Sequence, residues 1–435
     1  MPINLITGTD DDDNLQGTGQ RDLIRSGLGD DFVTTMGGHD TVRGDGGNDS
    51  VFAYFGDEVL FGGDGDDQLV TSNFESAEVG RIYGGDGNDR IFAGDLNDLS
   101  YGGAGNDSIT VYFRQGGEVH GGTGVDLQRF GLPGTNSGPS EERVVAILNG
   151  SDAGIQVGTG FLVLSGFEVL DITTNAADDY VRGGVLGDSI DLGTGANTAL
   201  GMEGDDFIAY RSGLANFLDG GTGVDSLQVI QSPTDGVLRL EVHGTTGVDH
   251  HGSQLTDFES WFVIGGNQGD FAALGDGQDI FSGRGGNDAC FGKGGQDRLA
   301  GDAGQDVVSG GKGADVLAGG AGIDLLKGGS GADQFYFGDL GRAGDWVLDF
   351  TPGSDLIVIR SRALGHALQG GAVDEARFHL ETAIGTEGQF IYRANVAQFA
   401  GDLYWDANGS GAGGEVLVAR LSGIPDLAGS DILIL

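Results

Sequence analysis

The chain has 435 residues and carries 66 acidic against 22 basic side chains, a formal net charge of −44, with 88 glycines and one cysteine. That balance argues against nucleic-acid and anionic-membrane partners, which select clustered Lys and Arg, and the lone Cys290 rules out disulfides within the chain. No run is apolar for long enough to cross a membrane as a helix, and apolar residues in short units between Gly/Asp turns suit a solenoid better than one globular core.

The opening, Met1-Pro2-Ile3-Asn4-Leu5-Ile6-Thr7-Gly8, lacks the basic region and apolar stretch of a secretory signal peptide, so any export address is expected elsewhere. A nine-residue frame then begins. Asp13, Asp22, Asp31, Asp40, Asp49, Glu58 and Asp67 are followed two residues later by Leu15, Ile24, Val33, Val42, Val51, Leu60 and Leu69. An insertion from about Ser72 to Gly80 breaks the phase, which resumes at Asp89, Asp98 and Asp107.

Gly121-Gly122-Thr123-Gly124-Val125-Asp126 recurs as Gly220-Gly221-Thr222-Gly223-Val224-Asp225. Each copy runs into strand-like sequence (Val144 to Leu148; Val237 to Val242), then a Phe-Glu step (Phe167-Glu168; Phe258-Glu259), and re-enters the frame at Asp179 or Asp270. This spacing predicts a duplicated insertion that adds extra or wider rungs. Between the copies, Asp179, Asp188, Asn197 and Asp206 keep the nine-residue step with weakened turns, and whether Asp188 and Asp206 bind metal stays open.

The most regular array follows at Asp270, Asp279, Asp288, Asp297, Asp306, Asp315, Asp324 and Asp333. Ala272, Phe281, Cys290, Leu299, Val308, Leu317, Leu326 and Phe335 stand two residues after them, giving G-G-x-G-x-D-x-U-x with U apolar. Three residues suffice for a short strand with U inward. The rest turns, with glycine supplying left-handed angles. Two nonapeptides complete a coil, so Asp297 is expected above Asp279 and below Asp315. Rungs of a parallel sheet lie about 4.8 Å apart, where stacked carboxylates repel.

A hard divalent ion resolves that repulsion and satisfies turn carbonyls. Calcium accepts many oxygens in flexible geometry, whereas magnesium requires a tight octahedron, and no Cys/His cluster suits a soft metal. The candidate calcium ligands are Asp31, Asp40, Asp49, Asp67, Asp89 and Asp107 in the N-terminal array. In the later array they are Asp279, Asp288, Asp297, Asp306, Asp315, Asp324 and Asp333, with turn glycines Gly283, Gly292, Gly301, Gly310, Gly313, Gly319, Gly322, Gly328 and Gly331. Cys290 at a U position reads as a small buried hydrophobe.

This nonapeptide resembles the calcium-binding repeat of the RTX (haemolysin-type) proteins. The resemblance implies an all-β fold, a right-handed parallel β-roll or β-helix solenoid with multiple Ca2+ in its turns, followed by a C-terminal β-rich cap. After Phe337 come a strand at Leu356 to Ile359, a hairpin pairing Gly401 to Asp406 with Glu415 to Arg420 across Asn408-Gly409, and the ending Asp431-Ile432-Leu433-Ile434-Leu435. That segment resembles the C-terminal part of serralysin-type proteases and certain secreted lipases, which carries an uncleaved type I secretion signal. The expected divisions are an N-terminal roll (1–128), a strand-rich insertion (129–178), degenerate repeats (179–219), a second insertion (220–269), a regular roll (270–337) and a secretion or capping segment (338–435).

Enzyme motifs are lacking. There is no H-E-x-x-H zinc helix and no G-x-S-x-G elbow; Ser410 in Gly409-Ser410-Gly411 belongs to the hairpin turn. Alginate epimerases also carry such repeats, but their separate catalytic module is not expected, since the repeat frame already begins near Asp13. Asp249-His250-His251 reads as a polar loop, and Asp406-x-Asn408-Gly409 as a turn rather than an EF-hand fragment, since Tyr404 stands where its first acidic ligand belongs. The expectation is a secreted, calcium-binding, non-enzymatic protein of a Gram-negative type bacterium. Its partners would be calcium, type I machinery during export, and a cell surface or matrix outside. The alternatives are an enzyme or bacteriocin-like effector acting through the insertions, and a calcium or lanthanide buffer.

Overall fold

A computed structural model describes residues 3–54, 57–71, 80–94, 98–112, 118–131, 144–148, 154–157, 160–165, 167–174, 176–211, 213–233, 236–338, 340, 344–364, 368, 370–384, 386–409 and 413–435. The phase-breaking segment after Thr71 and the Ser410-Gly411 step lie outside the described residues. Two compact units result: Met1–Tyr210 with Leu214–Asp225, and Arg211–Gly213 with Ser226–Leu435. Both are all-β, and the described helices are the short 3-10 turns Ser361–Leu364, Glu375–Arg377 and Gly429–Asp431.

In the first unit successive nonapeptides alternate between two parallel sheets. Asp22–Leu28, Thr41–Gly46, Val59–Asp64, Arg81–Asp86 and Leu99–Ala104 build one. Phe32–Thr34, Ser50–Ala53, Gln68–Thr71, Arg90–Ala93 and Ser108–Tyr112 build the other. The registers Ile24↔Val42 and Val33↔Val51 step by eighteen residues, so two repeats close one coil as expected. The inward Ile24, Val42, Leu60 and Ile82 stack opposite Val33, Val51, Leu69 and Ile91, all fully buried. Each such side chain contributes about 1.5–3 kcal/mol relative to exposure. The core is therefore a column, with no globular centre.

The insertion is a three-stranded antiparallel meander, Val144–Ile147, Gly154–Val157 and Gly160–Ser165. Its last strand pairs in parallel with the preceding rung Glu118–Thr123, and its first with the following rung Tyr180–Arg182. The second unit carries the same device at Arg239–His243, Thr246–Asp249 and Gln254–Thr256, with Arg239–His243 rejoining Phe271–Ala273. Antiparallel pairing widens a rung without disturbing the parallel ladder.

Within the second unit Ala289–Gly294, Val307–Lys312 and Leu325–Ser330 form one parallel face, and Arg298–Ala303, Val316–Ala321 and Gln334–Phe337 the other. These strands correct the three-residue expectation, because most continue for six residues into the glycines and pair there, as at Gly311↔Gly329. The cap is the antiparallel trio Gln389–Asn395, Ala400–Asp406 and Glu415–Ser422, which contains the expected hairpin. The ending Ile432–Ile434 pairs in parallel with Leu356–Ile359. Ile432 and Ile434 are buried, so the residues resembling a secretion signal also cover the last rung.

Candidate metal centre: the aspartate ladder

Every regular turn ends in a buried aspartate that reaches back one coil. The Asp279 N–H donates to Oδ1 of Asp297 at 2.9 Å, and those of Asp297 and Asp315 donate to Asp315 and Asp333 at 3.0 Å. On the other edge Asp270, Asp288 and Asp306 donate to Asp288, Asp306 and Asp324 at 2.6, 2.8 and 2.8 Å. The first unit repeats this through Asp31, Asp49, Asp67, Asp89 and Asp107, and along a second edge from Asp22 to Asp40 to Glu58. One carboxylate oxygen thus satisfies an amide that burial would leave unpaired.

The other oxygen has no such use. Oδ2 of Asp31, Asp40, Asp49, Asp67, Asp89, Asp107, Asp126 and Asp206 in the first unit is buried and accepts no hydrogen bond. The same holds for Asp288, Asp297, Asp306, Asp315, Asp324 and Asp333 in the second. A carboxylate oxygen withdrawn from water without a partner is costly unless a cation or proton compensates it.

The first glycine of each turn explains where that oxygen sits. A Cβ built on Gly283 would strike Asp288 Oδ2 and fall 2.6 Å from the Gly301 carbonyl oxygen; on Gly292 it would strike Asp297 Oδ2, 2.7 Å from that of Gly310. Gly301, Gly310, Gly319 and Gly328 stand likewise against Oδ2 of Asp306, Asp315, Asp324 and Asp333. These first glycines are required for space, which corrects the expectation that positive φ explains them all. Left-handed angles belong to the fourth position, where Gly313, Gly322 and Gly331 have φ of 124°, 153° and 144°. The second position is left-handed too, even when it holds Lys293, at 72°.

Burial pushes Asp67, Asp89, Asp206, Asp288 and Asp297 up to about 7, against the downward pull of the amide each accepts and with help from carboxylates above and below. Asp40, Asp49, Asp306 and Asp333 rise to about 6 for the same leading reason. The bare ladder therefore stores unfavourable charge.

This donor set fits a hard cation. Among the described residues no group of three or more His, Cys, Asp or Glu side chains gathers at a point, so ligands must combine Oδ2 with turn carbonyls such as that of Gly301. Calcium takes about six to eight oxygens at 2.3–2.6 Å and tolerates irregular geometry. Bound there, it would supply positive charge to the stacked carboxylates and bridge adjacent coils.

Asp279 differs from the other candidate calcium ligands, because its Oδ2 accepts the Gly275 N–H at 3.0 Å; Asp188, left open in the sequence, does the same with the Gly184 N–H at 2.6 Å. Asp126 and the formerly open Asp206 carry the unpartnered oxygen that marks the regular turns. Sequence reading also missed a second, solvent-side ladder one residue earlier. Asn48, Asp66 and Asn88 donate their N–H groups to Oδ1 of Asp30, Asn48 and Asp66 at 2.7, 2.8 and 2.7 Å, and Asn106 to Asn88 at 2.9 Å. The recurrence of Asn or Asp before Asp31, Asp49, Asp67, Asp89 and Asp107 was the available signal.

The other candidates resolve into turns and core. Asp249 accepts from the His251 and Ser253 N–H groups at 2.9 and 3.0 Å and from Ser253 Oγ at 2.9 Å. Asp406 accepts from the Asn408 N–H at 3.0 Å, closing the hairpin. Cys290 is buried, which pushes its thiol well above the ordinary value.

With this geometry in hand, a family model described as the RTX calcium-binding nonapeptide repeat (4 copies) matches residues 7–42, 34–69, 80–109, 182–214, 264–299, 291–326 and 309–339. Among solved structures the chain is similar to the extracellular lipase LipA from Serratia marcescens, at 18% identity over 63% of this chain, with a TM-score of 0.19. The match spans 41% of the lipase chain. No curated protein matches.

Proposed function

For a chain built on RTX calcium-binding nonapeptide repeats, we propose a secreted protein whose calcium-loaded β-roll is itself the working part, an extracellular structural or adhesive scaffold exported by a type I system. The observation that carries the calcium reading is the row of buried, unpartnered Oδ2 atoms from Asp288 to Asp333, each set against a first-position glycine. Two features support the scaffold role. The repeat frame occupies much of both units, and the described parts of the two insertions are taken up by strand pairing. Among the described residues no helix is long and apolar enough to cross a membrane.

Because ligand binding is coupled to ordering, most of the ladder folds where calcium is plentiful and stays expanded where it is scarce. Extracellular calcium modules work at dissociation constants of about 0.1–1 mM, which suits export as a loose chain and assembly outside. Calcium titration followed by circular dichroism and isothermal calorimetry tests this. A large gain of β signal with several ions bound per chain is expected. No calcium uptake in the millimolar range would overturn it. Loss of cell-surface retention on deleting the gene supports the scaffold role; hydrolysis of polysaccharide, ester or peptide substrates by the loaded protein would replace it with an enzymatic one.

A further inference from the structure

The ladder contains two kinds of turn. In the turns ending at Asp13, Asp22, Asp188, Asp270, Asp279 and Asp355, Oδ2 accepts the N–H of the residue four positions earlier: Thr9, Thr18, Gly184, Gly266, Gly275 and Thr351, at 2.6, 2.6, 2.6, 2.7, 3.0 and 2.7 Å. None of these donors has positive φ. In the turns of Asp67, Asp89, Asp297 and Asp315 the equivalent residues Gly63, Gly85, Lys293 and Gly311 have φ of 127°, 130°, 72° and 120°. There Oδ2 accepts no hydrogen bond.

We propose that these six turns are metal-free caps, in which a backbone N–H takes the place that calcium occupies in the other turns. The proposal rests on the calcium reading above. An amide directed at Oδ2 presents the positive end of its dipole to the site and occupies one of the oxygen's two lone pairs, which weakens its attraction for a cation.

Position along the chain supplies the reason. An ion bridging two coils needs oxygens from both, and a turn at the end of an array or beside an interruption has a regular neighbour on one side only. The self-closed turns stand at such places. Asp13 and Asp22 begin the first array, and Asp188 follows its antiparallel meander. Asp270 and Asp279 follow the second meander, and Asp355 ends the second array before the cap.

The local sequence agrees. Asp13, Asp22, Asp188 and Asp270 have Asp11, Gln20, Leu186 and Gln268 where a left-handed glycine stands two residues before the regular aspartates. Asp279 and Asp355 keep a glycine there, left-handed at Gly353 but not at Gly277, and buried Leu274 and Phe350 occupy the first turn position. Neither can leave the open space that Gly292 or Gly310 provides.

The test compares calcium stoichiometry in the full-length protein, by calorimetry with CaCl2, for the parent, Asp279→Asn, Asp270→Asn and Asp297→Asn. Asp297→Asn should lower the number of ions bound, while the other two leave it unchanged; equal losses at Asp279 and Asp297 would overturn the proposal. Asn is native to the ladder at position 197, where its Oδ1 accepts the Asp179 N–H at 2.9 Å, so the fold accommodates it. Hydrogen exchange on calcium-free protein at pH 5, where burial of the ladder carboxylates favours the metal-free fold, reads the caps independently of metal. Protected Gly266 and Gly275 amides are expected, and exchange as fast as in an unfolded chain would overturn the proposal even if no calcium binds anywhere. A parent that binds no calcium while those amides stay protected would instead defeat the functional reading and leave the closed turns standing.

Discussion

Asp279 and Asp297 stand one coil apart on the same edge, joined by the Asp279 N–H donating to Asp297 Oδ1 at 2.9 Å. On the calcium reading proposed above, the same residue type has two tasks, one oxygen for the chain and one for a cation. Asp297→Ala removes both, and Asp297→Asn retains the acceptor. Asp297→Ala is expected to cost about 1–3 kcal/mol more than loss of the ion alone, because it strands a buried amide. Urea unfolding of calcium-free protein at pH 5, where the metal-free fold is most favoured, separates the two variants; equal midpoints would contradict the assignment.

Gly310 and Gly313 answer to different constraints. Gly310→Ala puts a methyl where Asp315 Oδ2 lies, so it should weaken calcium binding more than it disturbs the strand. Gly313→Ala meets φ of 124° and the Gly295 carbonyl, so it should destabilise by roughly 1–2 kcal/mol or more with or without calcium. Conversely, Met202→Gly, at φ of 90°, should raise the melting temperature slightly. Calorimetry and thermal melts on the same samples check all three.

The pH dependence has a definite sign. Burial raises Asp49 from 3.8 to about 6, and Asp67 and Asp297 to about 7. Without metal, folding is therefore favoured in full below about 4, and that advantage is lost as pH rises through 6 to 7. Protein stripped of calcium should show more β signal by circular dichroism at pH 5 than at pH 8. With calcium the order reverses, since protons compete for Oδ2 and affinity falls on acidification.

On the solvent-side ladder, Asn48→Asp would place a third carboxylate between Asp30 and Asp66 and remove the Asn48 Nδ2 donation to Asp30 at 3.3 Å. The expected cost is about 0.5–1 kcal/mol at low ionic strength, reduced by salt. Denaturation at two salt concentrations measures it.

Deleting Gly423 to Leu435 should retain the protein inside the producing cell if this ending carries the export signal. It also removes the strand over Leu356–Ile359. Ile434→Ala, which empties a buried site, separates the two roles: it should lower stability by about 2–5 kcal/mol while export continues. Secretion assays read beside melting curves decide between them.

Much of this molecule follows from spacing alone. Asp297 lies above Asp279 because two nonapeptides of covalent chain allow little else once Phe281 and Leu299 must face one column. The hairpin pairing Asp406 with Glu415 was legible from Asn408-Gly409. The six-residue strands and the Asn48 ladder were not, since both arise from pairing between coils.

The sequence by itself determined the coil, the inward column and the chemical class of ion, because each depends on which residue types recur at a fixed interval. Tertiary structure decided which carboxylates are left for that ion. Asp279 and Asp297 occupy the same place in the repeat, yet one receives the Gly275 amide and the other keeps Oδ2 unpartnered. That difference lies in a backbone rotation, set by what stands at the first turn position, buried Leu274 before Asp279 and Gly292 before Asp297.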